Sequence, residues 1–184
     1  EVPSRHVAVR YVCARGFDPD YLAGVFGVGL CVGTNDARNA RLIGRLYIPI
    51  NCDGKLVGWQ GRYIGEKDWK STCICKYYTM PGMHKRLILY NCDSAKKYND
   101  AVVVEGVMDA WRIGPQAIAL LGHELSFAQR GRLLAWKDGH LAIVLDNDAE
   151  AKAKDICRDL RSLFGNNIFC VSLPAGCDPA DMAR

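Results

Sequence analysis

From residue 101 onward one pattern repeats, a short apolar run followed by a turn and then a helical stretch, and this rhythm restricts the fold more than any other feature of the chain. Ala101-Val102-Val103-Val104 is continuously apolar and largely β-branched, which suits a strand covered on both faces, as strands of parallel sheets are. Residues 116–121, 140–145 and 167–173 read as further strands, and residues 127–137 and 149–164 read as helices between them. Strands alternating with helices pair in parallel through right-handed crossovers. The second half of the chain is therefore expected to be an α/β unit with a central parallel sheet flanked by helices.

Acids stand where those strands should end. Glu105 follows Val104 directly, Gly106 lets the backbone turn without a Cβ penalty, and Asp109 comes four residues after Glu105, so in a helix starting here both acids would share a face. The run ending at Leu145 leads into Asp146-Asn147-Asp148, and the period of two puts Asp146 and Asp148 on one side if the extended chain continues. Open α/β sheets bind ligands at the carboxyl ends of their strands. Two carboxylates brought within 4 Å repel by ~4 kcal/mol at an effective dielectric near 20, unless a proton or cation lies between them. Glu105, Asp146 and Asp148 make an oxygen-only ligand set, which suits Mg²⁺ or Mn²⁺ rather than structural zinc. Singly, each acid has a plainer role, as a helix N-terminal charge or a turn residue. Their joint recurrence at successive strand ends is what favours a site. His123 and His140 have no partner at ligand spacing and read as structural.

The first half is basic. Between Asp36 and Arg86, ten Lys and Arg stand against four acids in a chain of net charge +4, which fits a polyanionic partner. With 49% apolar and 24% charged residues, and no apolar run near the ~20 residues that span a bilayer, the chain is expected to be soluble and cytoplasmic, without a membrane partner. Glu1-Val2-Pro3 reads as the start of a fragment. Nine cysteines, odd in number and irregular in spacing, read as reduced thiols. A metal site from Cys73 and Cys75 with Cys52 or Cys92 is the lesser reading, because no Cys-x-x-Cys is present.

Ser4 is placed to cap a helix from Val7 towards Gly16, and Asp18-Pro19-Asp20 to open a second. Residues 45–50 and 55–64 read as strands joined by a hairpin at Asp53-Gly54, with Pro49 marking an edge or bulge. Residues 76–79 and 85–91, where Lys, Arg and Tyr interleave, read as strands suited to phosphate contacts and base stacking.

The order Val104-Glu105-Gly106-x-x-Asp109, Leu121-Gly122, Asp146-x-Asp148 and Asp178-Pro179-Ala180-Asp181 resembles the Toprim domain of bacterial-type primases, type IA and II topoisomerases, OLD-family nucleases and RecR proteins. Upstream, Gly44-Arg45 before Tyr47-Ile48-Pro49-Ile50, Asp53-Gly54 with Gly58, Gly61-Arg62, Lys76-Tyr77, and Lys85 before Leu89-Tyr90 resemble the basic subdomain of the DnaG-type primase core. Arg15-Gly16-Phe17 with Phe26 and Gly29 resembles its entry. Three positions depart from the pattern: Thr79 stands where the family has Asn, Ala149-Glu150 where a small residue and glycine are usual, and Ala180 inside Asp-Pro-x-Asp.

The resemblance implies an α+β basic subdomain over residues 1–98 and a Toprim domain over 99–184. It implies a nucleotidyltransferase making RNA primers on single-stranded DNA from ribonucleoside triphosphates. Glu105, Asp109, Asp146 and Asp148 would be catalytic, and Glu105, Asp146, Asp148 and Asp178 would hold one or two Mg²⁺ or Mn²⁺ ions. Arg45, Arg62, Lys76, Tyr77, Thr79 and Lys85 would bind nucleotide and template. Zinc-ribbon and helicase-binding domains would lie outside this chain, the latter meeting a replicative helicase. Another Toprim enzyme that cleaves strands, or a non-catalytic nucleic-acid-binding module, is the alternative.

Overall fold

The computed structural model describes residues 6–65, 74–122 and 124–174. The chain divides into two compact units, Glu1–Ile50 with Leu56–Met83, and Asn51–Lys55 with His84–Arg184. Among the described residues no helix is long and apolar enough to cross a membrane.

In the first unit, helix α1 (Val7–Ala14) starts at His6, whose Nδ1 accepts the Ala8 N–H at 3.1 Å. The cap is therefore His6 and not Ser4, which lies outside the described residues. Helix α2 (Pro19–Phe26) begins as its sequence predicts: the Asp18 carboxylate accepts from Asp20 and Tyr21 N–H at 2.9 and 3.3 Å, and Pro19 brings a preset φ.

A sheet of order β1-β2-β3-β4 follows, from Gly29–Leu30, Leu46–Cys52, Lys55–Arg62 and Tyr77–Thr79. Between β2 and β3, Asp53 and Gly54 both have positive φ, 53° and 75°, the type I′ turn whose twist matches the flanking strands. Strand β1 pairs only with Leu46 and Tyr47 of β2, so Pro49 sits where no ladder hydrogen bond on that side is asked of it.

The second unit is a parallel sheet of order β6-β5-β7-β8, from Ala117–Ala119, Ala101–Val104, Leu141–Ile143 and Ile168–Cys170. Its helices are α3 (Cys92–Ala95), α4 (Val107–Ile113), α5 (Phe127–Leu133) and α6 (Glu150–Phe164). Val103, Ile118, Leu133, Leu141, Ile143 and Leu160 are fully buried within one apolar cluster, so the valine run is a core strand as its composition demands. The stretch expected as a helix over 127–137 is α-helical to Leu133 and then tightens into a 3₁₀ turn through Trp136.

Residues 85–91 are not a strand. Lys85–Leu87 is a 3₁₀ turn, and only Tyr90 makes a β-bridge, to Ala119. The buried Gln129 side chain accounts for this: its Nε2 donates to the carbonyls of Lys85, Ile88 and Leu120 at 3.1, 2.9 and 3.0 Å, supplying donors that a neighbouring strand would otherwise give. Also in this unit, Asp93 accepts the N–H groups of Asp53 and Gly54 at 3.0 and 2.8 Å. The Asp53 carboxylate meets Lys96 at 3.2 Å and Arg132 at 3.3 Å.

Candidate active site at the switch point of the parallel sheet

Strand β5 runs through α4 to β6 on one side, whereas its neighbour β7 runs through α6 to β8 on the other. Adjacent strands whose connections leave in opposite directions open a crevice at their carboxyl ends, the usual ligand position in an open α/β sheet. Glu105 is the first residue beyond β5, and Asp146 and Asp148 stand in the turn beyond β7. The two strand ends are level: Val103 pairs with Ile143, and Val144 N–H donates to the Val103 carbonyl at 2.9 Å. On the other side, Leu120 and Leu121 N–H donate to the carbonyls of Val104 and Glu105 at 3.0 and 3.1 Å, which fixes the Glu105 backbone. Glu105 is half-buried and Asp148 exposed, and the Oδ1 of Asp146 is closed off from solvent.

Asp109 stands in the first turn of α4. Helix α4 starts at Val107, so Glu105 precedes it and does not share a helical face with Asp109, contrary to the sequence expectation. The Asp109 carboxylate is 8% exposed and accepts the Gly106 N–H at 2.9 Å, closing the first turn of the helix. A Cβ at Gly106 would stand 3.0 Å from the Asp109 Oδ2, so this close turn asks for glycine. Glu150, at the start of α6, bonds Lys154 at 2.8 Å and the Ser172 hydroxyl at 3.0 Å. Lys154 above all, with Ser172, holds its carboxyl below the usual glutamate range.

Among the basic candidates, two are bound up in the first unit. Arg45 is buried, with Nε donating to the Arg41 carbonyl at 2.8 Å and Nη1 to those of Gly61 and Cys75 at 3.3 and 2.8 Å. Arg62, also buried, donates from Nε to the Tyr11 hydroxyl at 2.8 Å and lies 4.8 Å over the Tyr77 ring. Gly61 makes room for this arrangement, because a Cβ there would come within 2.5 Å of Leu42 and 3.0 Å of Arg45. The Thr79 hydroxyl accepts from Gln60 Nε2 at 3.1 Å. Lys76 is exposed and Tyr77 half-buried. Lys85 is half-buried in the second unit. Sequence reasoning did not single out Arg41. With Ala40, Gly44, Arg45, Tyr63 and Cys75 it lines a recess of about 350 Å³, and its place in the basic run was the one available signal.

No family model matches the chain. It is 28% identical over 154 aligned residues to the DNA primase of Staphylococcus epidermidis, a match covering 78% of this chain and 25% of that protein. The chain thus spans about a quarter of the length of that relative. Its fold superposes with a TM-score of 0.74 on the RNA polymerase domain of Mycobacterium tuberculosis primase DnaG, at 23% identity, covering 98% of this chain and 72% of the other. The same domain in complex with double-stranded DNA gives 0.72, at 24% identity over 98% and 70% of the two chains. This chain is similar to DNA primases and has the fold of the DnaG primase catalytic core.

The donor set at the crevice fits a hard divalent cation: it is made of carboxylates, one of whose oxygens is shut away from water. Among the described residues, however, no three His, Cys, Asp or Glu side chains are grouped as a metal site. The fold brings Glu105 and the Asp146–Asp148 turn to neighbouring strand ends. Asp178, expected as a further ligand, lies outside the described residues, as do Lys67, Lys70 and His123. The described cysteines, 13, 31, 52, 75, 92, 157 and 170, are all free thiols.

Proposed function

We propose that this chain is the catalytic core segment of a DNA primase, joining ribonucleotides into short RNA primers along single-stranded DNA in an Mg²⁺- or Mn²⁺-dependent reaction. The observation that carries this reading is the placement of Glu105 and Asp146–Asp148 at the two strand ends that flank the switch point, in a chain whose relatives are DNA primases. Glu105, Asp146, Asp148 and Asp178 would hold one or two Mg²⁺. When bound there, the ion supplies Lewis acidity to the primer 3′-hydroxyl and charge neutralisation to the triphosphate. The carboxylates orient that charge, and Asp109 keeps Glu105 in place through the Gly106 turn.

Phosphoryl transfer depends mainly on positioning and charge neutralisation, so cationic side chains have a direct part in it. Lys76 and Lys85 are the ones we assign to triphosphate or template phosphates, with Tyr77 for stacking and Thr79 for a hydroxyl contact. Arg45 and Arg62 act on the same groups by holding their surroundings: Arg62 lies over the Tyr77 ring, and Arg45 ties the carbonyl of Cys75, next to Lys76. That the M. tuberculosis domain has been crystallised with double-stranded DNA supports a duplex-accommodating core. Further domains outside this chain would engage a replicative helicase.

The test is primer synthesis on a single-stranded template with labelled ribonucleotides and Mg²⁺ or Mn²⁺. Metal-dependent short RNA products, abolished by Glu105→Gln or Asp146→Ala without loss of template binding, are expected. Divalent-dependent nicking of the template with no RNA product would replace this reading by strand cleavage. Full activity of Asp146→Ala would leave only a binding module.

A further inference from the structure

Helix α6 packs its buried face, Ala153, Ile156, Cys157, Leu160 and Phe164, into the same apolar cluster as Ile168 of β8. Side chains alternate along a strand, so Cys170, two residues after Ile168, lies on the face of β8 that meets α6. Strand β8 closes its sheet on that side, and there Cys170 is exposed while Cys157 is buried. Cys157, on the buried face of α6, and Cys170, on the face of β8 that meets it, thus stand on facing surfaces and act on one another electrostatically. Both thiols are free. Neither belongs to the carboxylate crevice nor to the basic residues above.

We propose that Cys157 and Cys170 are a redox modification site: a dithiol that closes reversibly into an intrachain disulfide when the chain meets a low-molecular-weight disulfide such as oxidised glutathione. Access sets the order of events. Cys170 faces solvent, where a small disulfide can reach it. The Cys157 thiol stays protonated, its pKa pushed up to about 12 by burial and by the neighbouring Cys170. The Cys170 thiolate attacks one sulfur of oxidised glutathione, whose S–S bond breaks and releases one glutathione thiolate. Cys157 then attacks the Cys170 sulfur, its proton passing to the second glutathione as that group departs as a thiol. The protein loses two electrons and two protons, and one glutathione disulfide becomes two thiols. The bond would staple α6 to the edge strand at the helix that leads out of the Asp146–Asp148 turn. Cys52 also acts on Cys92, but both are buried and offer no exposed partner to start the exchange.

The experiment incubates the native chain with oxidised glutathione, blocks remaining thiols by alkylation, and maps non-reduced proteolytic fragments by mass spectrometry, with fragment ions separating Cys170 from Cys177. The expected product is a Cys157–Cys170 cross-link formed ahead of any other pair, reversed by dithiothreitol and lost in Cys170→Ser, a substitution at an exposed position that leaves the circular dichroism spectrum unchanged. Glutathione retained on Cys170 with Cys157 still alkylatable after denaturation, a dominant cross-link to any other cysteine, or no cross-link at all would overturn the proposal.

Discussion

At the scale of single residues, burial and hydrogen bonding separate acids that composition treats alike. The Asp109 carboxylate accepts the Gly106 N–H at the start of α4, whereas Glu105 stands half-buried just past β5 and Asp148 exposed in the turn past β7. Asp109→Ala should therefore lower stability by about 1–2 kcal/mol, the usual loss for a helix N-terminal acceptor, read from denaturant melts. Unchanged melting with loss of synthesis would instead make Asp109 a participant in the chemistry. Glu105→Gln should abolish primer synthesis while leaving the denaturant midpoint and template affinity nearly unaltered, since the amide fills the same space without the charge. Among the bases, Arg45→Ala leaves three carbonyls short of a donor and should cost about 2–4 kcal/mol. Lys76→Ala, at an exposed site, should stay within about 0.5 kcal/mol of the parent and show instead as a raised nucleotide KM. An unaltered KM would remove Lys76 from the nucleotide path.

At the scale of elements, local rules decided where local forces dominate. The Asp53-Gly54 turn forms because two successive residues with positive φ match the strand twist, and Asp tolerates the left-handed region that most side chains avoid. Gly54→Ala, at φ 75°, should cost about 1 kcal/mol, measured as a shifted midpoint at unchanged m-value, although the space around that position is open. Helix α2 is set by Asp18 and Pro19 in the same local way. Residues 85–91 show the opposite case. Their alternating pattern is strand-like, but Gln129, some 40 residues on, takes their carbonyls, and the segment becomes a 3₁₀ turn and a single bridge.

At the scale of the whole molecule, charge ties distant parts of the sequence together. Asp53 is held below the ordinary aspartate pKa, first by its bond to Lys96, then by the Cys52 thiol and Arg132. A depressed folded-state pKa contributes stability that is present above the unfolded value, about 4, and lost as pH falls through the folded value. Stability should thus decline on acidification below about pH 4, and Asp53→Asn should flatten that part of the curve. If the mutant and parent profiles run parallel from pH 6 to pH 2, the Asp53 pairing contributes nothing. The alternation of strand and helix, the acids at strand ends, the type I′ turn and the α2 cap were legible because each depends on residues close in sequence. What tertiary structure alone decided is the strand order β6-β5-β7-β8, which makes Glu105 and Asp146 neighbours across a crevice, and the burial of Arg45 and Arg62. Periodicity states which face of a strand is apolar. Which strand lies beside it, and which charged side chain must satisfy a buried carbonyl, depends on contacts between residues that the chain keeps far apart.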